Sequence, residues 1–507
     1  MIPVALAALA LAAHLGTSFR YGYFRDELYF IACSKHLAWG YVDQPPLVAF
    51  AAYLSAPFHY NLVALRLLPA LAAALTVWLS ARIARELGGG TFAQGLAALA
   101  TLLLPAYLLL GNTLTTTSFE PLSWTLVVYA AIRLARTPYR RYWLAIGAAF
   151  AFGMYGKYSM LLLGAALIAG MLLTRERKLL WSLWFPAAVA LAALVLAPNI
   201  AWQAAHGWPF AQVVQGDFVH RHAFQTGLQL EYRGLLQNAL AFLAEQAVYT
   251  NPIAVPIWIA GIAVLSLRPE YRSLRFLPIA FGLLLAAAVV LEAKGYYIIG
   301  IYAPLLGAGA VFFESVFRRL TARAIAGAAL IVLSLPFVPL SLPVLSIDTF
   351  IAYSRALHLT GQNGQPARLI QPLYAEEFGW DELARHVALV YHALPPNMRK
   401  RTAIFADTYG DAGALAFYGG RYGLPPVISA QNTYYLWGTR GYDGRTLIFV
   451  GATQADLMRS MYRNVKLVAT YGNPYKWVVE GPTPIYLCTD PVAPLDRLWP
   501  RFKWYGA

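Results

Sequence analysis

The sequence predicts a polytopic α-helical membrane protein that ends in a small α/β domain. Three observations predict it. First, 59% of the 507 residues are hydrophobic and 12% are charged, with a mean hydropathy of +0.52, whereas a soluble domain carries about 25% charged residues. Second, apolar runs such as "LVALRLLPALAAALTVWLSA" and "LPIAFGLLLAAAVVLEA" approach or reach the roughly 18–20 residues needed to cross a hydrocarbon core. Third, from about residue 346 the composition becomes mixed, charged and aromatic.

The spans follow in order at about 2–19, 61–85, 91–110, 119–136, 142–156, 158–174, 180–200, 251–267, 275–292, 297–315 and 323–345. The opening "MIPVALAALALAAHLGTSF" has no basic stretch ahead of its apolar run, so it reads as a retained span and not as a signal peptide. Basic clusters fall on one side: Arg82 and Arg85; Arg133, Arg136, Arg140 and Arg141; Arg175, Arg177 and Lys178; Arg268, Arg272 and Arg275; Arg318, Arg319 and Arg323. The positive-inside rule makes that side cytoplasmic. Consistency then requires "LLQNALAFLAEQAVYTNP" (235–252) to lie in the interface or re-enter. If it crosses, another element crosses too, and the count is thirteen, not eleven. The formal charge of +15 is thus an orientation signal between spans and no nucleic-acid patch. Two cysteines, Cys33 and Cys488, exclude a disulfide-rich scaffold, while one bridge is compatible with both facing an oxidising space.

With eleven spans and a cytoplasmic N-terminus, residues 346–507 form an extracytoplasmic domain, and 1–345 form the membrane domain with outer loops at 20–60 and 201–250. The tail alternates: helix "WDELARHVALVYHAL", strand "RTAIFA", helix "DAGALAFYGG", strands "PPVIS" and "RTLIFVG", helix "TQADLMRSMY". Such alternation argues for a small α/β domain. Asp26, Glu27, Asp43, Glu120, Lys157, Glu292, Lys294 and the loop 201–234 all fall on the outer face, which gathers acidic and basic groups into a candidate site.

A carboxylate beside a bilayer is costly unless it is solvated, paired or used. The stretch "FRDELYFIACSKHLAWGYVDQPPLVAF" (24–50) sets Asp26, Glu27 and Asp43 directly behind the first span. Nucleotide sugars and ATP are not expected outside, and no glycine-rich phosphate loop follows a strand; "ELGGG" (86–90) is a turn between spans. An activated donor on this side would be a lipid phosphate held in the bilayer. Transfer from it needs a carboxylate to take the proton of the attacking hydroxyl, and cations to stabilise the departing phosphate. Asp26 or Asp43 suits the first task; Lys157, Lys294, Arg66 and Arg221 suit the second.

"RDELYF" followed by "YVDQPPL" resembles the first outer loop of the GT-C glycosyltransferases. More narrowly, it resembles the bacterial relatives of protein O-mannosyltransferases and of aminoarabinose transferases (RgtA/B/C/D-like, glycosyltransferase family 39 or 83 type). The resemblance runs over roughly residues 1–345, through "TTTSFEPLSW", "YGKYSMLLLG", "NIAWQAAHGWPF" and "AKGYYIIGIYAPLL" in order. It implies a GT-C fold of about 11–13 transmembrane helices. It also implies Asp26 as catalytic base, Glu27 as its acidic neighbour, Asp43 as the acid before the paired prolines in the same cavity, and Lys157 near the donor phosphate. Glu120, His206 and Tyr296, in the matched segments, are further substrate-binding positions. Gln44 stands where the aminoarabinose enzymes have a phosphate-binding lysine, so that duty passes to Lys157 or Lys294, and an aminoarabinose donor does not follow.

Each residue also has a plainer reading. Asp26 and Glu27 suit solvated juxtamembrane charges, and Asp43 suits a turn former before Pro45 and Pro46. Glu120, two residues after a candidate N-cap at Ser118, suits the helix dipole; Lys157 suits a snorkelling lysine. In "DFVHRHAF", Asp217 and His220 share a helical face, and His220 and His222 share a strand face. Headgroup contact through Arg221 fits better than metal ligation, which needs three or four ligands. No ligand cluster demands a divalent metal, although the site is compatible with one. Tyr434, Tyr435 and Trp437 of "AQNTYYLWG" read either as a sugar-stacking platform or as packing against the membrane domain.

The expected activity is inverting transfer of a sugar, by a single in-line displacement, from a polyprenyl-phosphate donor to a lipid, glycan or protein acceptor outside the plasma membrane. One rival is a transporter or flippase of lipid-linked sugars, which would show midplane sites and inverted halves; the ionisable residues instead gather at one face. The other is a glycan ligase using a lipid-diphosphate donor.

Overall fold

The computed structural model describes residues 1–220, 234–358, 372–475 and 481–506. It divides into two compact units. One comprises residues 1–19, 66–200 and 225–344; the other comprises 20–65, 201–224 and 345–507. The sequence places a boundary near residue 345, and the second unit takes in the two earlier stretches as well.

The first unit is helical throughout. Each of the eleven apolar segments contains helix, from Ile2–Thr17 through Leu62–Glu86 and Glu120–Arg136 to Leu320–Ser334. Among the described residues, four helical stretches are long and apolar enough to cross a membrane: Leu62–Glu86, Trp184–Ala205, Gly295–Val316 and Leu320–Phe337. The 91–110 segment is two helices, Thr91–Leu102 and Pro105–Gly111, bent by 66°. The break falls just before Pro105, whose ring disfavours helical backbone in the residue ahead of it. Five more apolar helices, among them Tyr142–Gly156 and Phe276–Val290, have 10–17 residues. At about 1.5 Å per residue, these are shorter than a hydrocarbon core of about 30 Å. The 235–252 segment is helical over Leu235–Tyr249.

The basic clusters meet one another within this unit. Arg133 Nη1 donates to both carboxylate oxygens of Glu86, at 2.8 and 2.9 Å. Arg136 lies over Tyr271, whose hydroxyl donates to the Leu87 carbonyl. Arg268 donates to Ser315, and Arg323 pairs with Glu314. Glu120 opens the helix that Arg133 and Arg136 close, so about sixteen residues at 1.5 Å each set the acid and these arginines at opposite ends of one helix. Close helix packing depends on missing side chains: a Cβ at Gly309 would overlap the Ile257 carbonyl of the Val255–Leu267 helix.

The second unit contains a five-stranded sheet, β1 (Thr402–Ala406), β2 (Val427–Ile428), β3 (Thr446–Val450), β4 (Tyr462–Tyr471) and β5 (Thr483–Pro491), in the order β2-β1-β3-β5-β4. The β2-β1-β3 part is parallel, whereas β5 runs antiparallel to both β3 and β4. β1 and β3 are buried along their whole length, which fits strands covered on both faces. Phe405, Phe449, Met458, Trp499 and Phe502 share the core below. Cys33 and Cys488 are both buried and free, so no bridge joins them.

Candidate active site

The Arg25–Ser34 helix of the second unit carries the acidic pair. It packs closely on the Tyr409–Tyr418 helix, because a Cβ at Gly413 would come within 2.8 Å of the Leu28 backbone carbon and 2.9 Å of the Tyr29 nitrogen. That approach sets the Tyr409 hydroxyl 2.9 Å from Asp26 Oδ1, to which it donates. Arg25 lies 3.6 Å from the same oxygen, pairs with Glu376 at 3.1 Å, and sits over the Tyr409 ring. The Asp26 side chain stays 27% exposed. Glu27 is fully buried. Its Oε2 accepts the Phe24 amide at 2.9 Å, which satisfies a free donor at the helix start; Phe24 has no side-chain acceptor to complete a capping box.

Asp43 is held on both oxygens. Tyr29 donates to Oδ1 at 2.8 Å and Asn432 donates to Oδ2 at 3.2 Å. The Tyr29 hydroxyl in turn accepts the Thr433 amide. Asn432 is fixed by its neighbours: its amide donates to the Trp504 carbonyl, and its Oδ1 accepts the Gly506 amide. Burial pushes the Asp43 carboxyl up to about 7; the bonds from Tyr29 and Asn432 oppose that rise, and the charge of Asp26 adds to it. Burial also pushes the Tyr29 and Tyr409 phenols well above their ordinary range, so both remain donors at any ordinary pH.

In the first unit, Lys157 follows the Tyr142–Gly156 helix. Its Nζ donates to Thr117 at 2.9 Å and to Glu120 Oε2 at 3.4 Å. It lies 4.8 Å from the centre of the Tyr296 ring and 4.6 Å from that of Tyr297. Glu120 is buried and accepts from Ser159 at 2.5 Å through its other oxygen. Phe119 is its helix N-cap; Ser118 instead accepts the Thr115 amide and donates to the Thr113 carbonyl. Lys294 is exposed, precedes the Gly295–Ile301 turn, and lies within electrostatic reach of Lys157.

The remaining candidates are placed differently. Arg66 is fully buried and donates to the Ser18 carbonyl at 2.7 Å, so its guanidinium is engaged inside the first unit. His206 is exposed and stacks on Trp202 at 4.1 Å. Arg221 lies outside the described residues, as do His222 and the side chains of Asp217 and His220. Among the described residues no three His, Cys, Asp or Glu side chains come together as metal ligands. Tyr435 stacks flat on Trp499 in the domain core, which removes it from any sugar platform. Tyr409, Tyr29, Asn432 and Glu376 were not foreseen. "QNTYYLWG" was singled out for its aromatics, but its asparagine makes the contact with Asp43.

The matches to known proteins agree with this architecture. The family model described as dolichyl-phosphate-mannose-protein mannosyltransferase matches residues 43–202. A crystal structure of ArnT from Cupriavidus metallidurans bound to undecaprenyl phosphate is similar at 16% identity with a TM-score of 0.59, over 96% of this chain and 97% of that one. The apo form of the same protein is similar at 14% identity and 0.58, with the same coverage. Among curated protein sequences, none matches. The fold is therefore the polytopic GT-C architecture that the sequence resemblance implied, with its C-terminal sheet.

Proposed function

We propose that this chain is an inverting membrane glycosyltransferase that moves a sugar from a polyprenyl-phosphate donor to an acceptor on the outer face of the plasma membrane. The observation that carries the reading is the carboxylate cluster: two acids that follow the first apolar helix, Asp26 part-exposed on Tyr409 and Asp43 held by Tyr29 and Asn432. The fold likeness to ArnT, which binds undecaprenyl phosphate, supports the choice of donor.

Asp26 takes the proton of the acceptor hydroxyl, which attacks the anomeric carbon in line as the bond to the lipid phosphate breaks. Inversion follows from one displacement with no covalent sugar intermediate. Asp43, poised near neutrality, sets the local charge around Asp26. Glu27 fixes the start of the helix on which Asp26 stands and does not touch the reacting atoms. Lys157, steadied by Glu120 and the Tyr296 and Tyr297 rings, with Lys294 beside it, supplies positive charge for the departing phosphate.

The test is a transfer assay with purified protein in liposomes, labelled polyprenyl-phosphate sugars, and a membrane extract as acceptor. Product from one donor, absent with Asp26→Asn, is the expected result. Movement of labelled lipid across the bilayer without transfer would hand the chain to the flippase reading; transfer from a diphosphate carrier alone would make it a ligase.

A further inference from the structure

The second unit holds a cavity of about 280 Å³ that the transfer chemistry leaves unused. The Arg25–Ser34 helix forms one wall. Leu28 and Ile31 line it, while Asp26, two residues and about 200° before Leu28, faces Tyr409 instead. Just past the helix end, Lys35 and His36 reach the rim, where Arg440 joins them. Among the described residues no Asp or Glu lines this cavity. Trp437 supplies an aromatic wall, with the His36 ring 4.6 Å away and the Arg440 guanidinium 5.9 Å from the indole centre.

Three features point to a ligand. The basic rim has no carboxylate to balance it: burial and then the charge of Arg440 hold the Lys35 ammonium down, and the same two effects, with Lys35 added, hold His36 down. Arg440 adopts a left-handed backbone (φ 52°), which costs a non-glycine residue about 1–2 kcal/mol; strain of this kind gathers at active sites, ligand clamps and switch regions. Tyr434 is 2% exposed, lines the cavity, and ends in a hydroxyl without a hydrogen-bond partner among the described residues. A buried hydroxyl left unpaired costs about 1–3 kcal/mol, which a ligand oxygen would recover.

We propose that this cavity binds one anionic sugar residue of the acceptor, phosphorylated or carboxylated. The indole takes the ring face, the basic rim takes the anion, and Tyr434 donates to a ring substituent. The volume lies at the lower edge of small-molecule sites, about 300–1,000 Å³, which suits one ring and not an oligosaccharide. Tyr434 stacks on Tyr29 with ring centres 5.9 Å apart, and Tyr29 holds Asp43, so the cavity adjoins the carboxylate cluster through one pair of rings. The word acceptor rests on the transferase reading; the binding of an anionic sugar does not.

Isothermal titration of the full-length protein in nanodiscs, without lipid donor, tests it with glucose 6-phosphate, glucuronate, glucose and inorganic phosphate. The expected result is that at least one anionic sugar binds tenfold or more tightly than both glucose and inorganic phosphate, and which one does so distinguishes phosphorylated from carboxylated ligands. Lys35→Gln with Arg440→Gln erases the preference at an unchanged melting temperature. Arg440→Gln alone, at an exposed position, repeats the test if the double variant melts early. Trp437→Leu weakens the sugars and spares inorganic phosphate. Equal affinity for glucose, phosphate as tight as the sugar phosphate, or binding unchanged in the variants would overturn the proposal. Transfer activity without anionic-sugar binding removes the cavity assignment alone; binding without transfer removes the transferase reading alone.

Discussion

In the second unit, Asp43 is held by neutral donors, the Tyr29 and Asn432 side chains, whereas Asp26 accepts from Tyr409 and also lies 3.6 Å from Arg25. In the first, Lys157 is held by a carboxylate and by the faces of two tyrosines. At Asp43 burial outweighs these donors, which favour the carboxylate, so this acid exchanges its proton at about 7. Around Lys157, Glu120 and the two aromatic faces favour the ammonium, while burial and the charge of Lys294 oppose it. Under the proposed mechanism one cluster would transfer the proton and the other would support the charge of the phosphate, and substitution separates the two.

Loss of Asp26 is expected to have the largest effect. General-base catalysis contributes about 10²–10⁴ in rate, so Asp26→Asn should lower kcat about 10³-fold while donor affinity changes little. Steady-state transfer kinetics decide it, and wild-type kcat would refute the base assignment. Lys157 comes next. Removing it alone would leave the buried Glu120 uncompensated, at about 3–5 kcal/mol, and would confuse folding with function. The paired change Lys157→Gln and Glu120→Gln avoids this; it should cost about 10²-fold in kcat/KM, by the same factor from pH 5 to pH 9. A pH-dependent loss would mean that Lys157 takes part in proton transfer, and the contrast would fail.

Asp43 gives the third effect, and its sign follows from the raised pKa. The unfolded chain releases this proton near the ordinary value of 3.8, whereas the folded chain keeps it until about 7. The folded state is thus favoured at low pH, loses that advantage as pH rises from about 4 to 7, and is flat above. Activity is expected to run the other way, rising through about 7 as Asp43 ionises. Asp43→Asn should remove this limb from the pH–rate profile, with a change of about tenfold at neutral pH, and should flatten the melting temperature over the same window. Asp407, buried and pushed up to about 6, leaves a smaller residual slope. A wild-type profile without a limb near 7 would show that Asp43 does not influence the reaction.

The helices were legible because crossing a bilayer forces long apolar runs, and every such run between residues 2 and 345 contains helix. The acids and Lys157 were legible because charge in so apolar a chain is conspicuous. Their partners were not. Tyr409 and Asn432 reach Asp26 and Asp43 across 383 and 389 residues of sequence, and nothing local marks a tyrosine at a helix start as a hydrogen-bond donor to a distant acid. The raised pKa of Asp43 belongs to the same blind spot, since burial is a property of the folded unit. Tyr435 shows the converse: its motif looked like a platform, but Trp499, 64 residues on, covers its ring.

Glu27 gives the smallest effect and sharpens the contrast most. It neighbours Asp26 in sequence and also carries a carboxylate, yet that carboxylate is buried on the Phe24 amide, one of the donors that a helix start leaves unpaired. The familiar cap signature was hidden because Phe24, unlike serine or threonine, cannot return the bond. Glu27→Gln keeps an acceptor oxygen and should leave kcat within about twofold, at a stability cost below about 1 kcal/mol. Glu27→Ala loses the acceptor and should cost about 1–2 kcal/mol, seen as a lower melting temperature, with kcat recovering on cooling as the folded fraction recovers. A fall of about 10²-fold in kcat for Glu27→Gln, at an unchanged melting temperature, would show that Glu27 shares the proton transfer with Asp26, and the division between a working acid and a positioning acid would have to be redrawn.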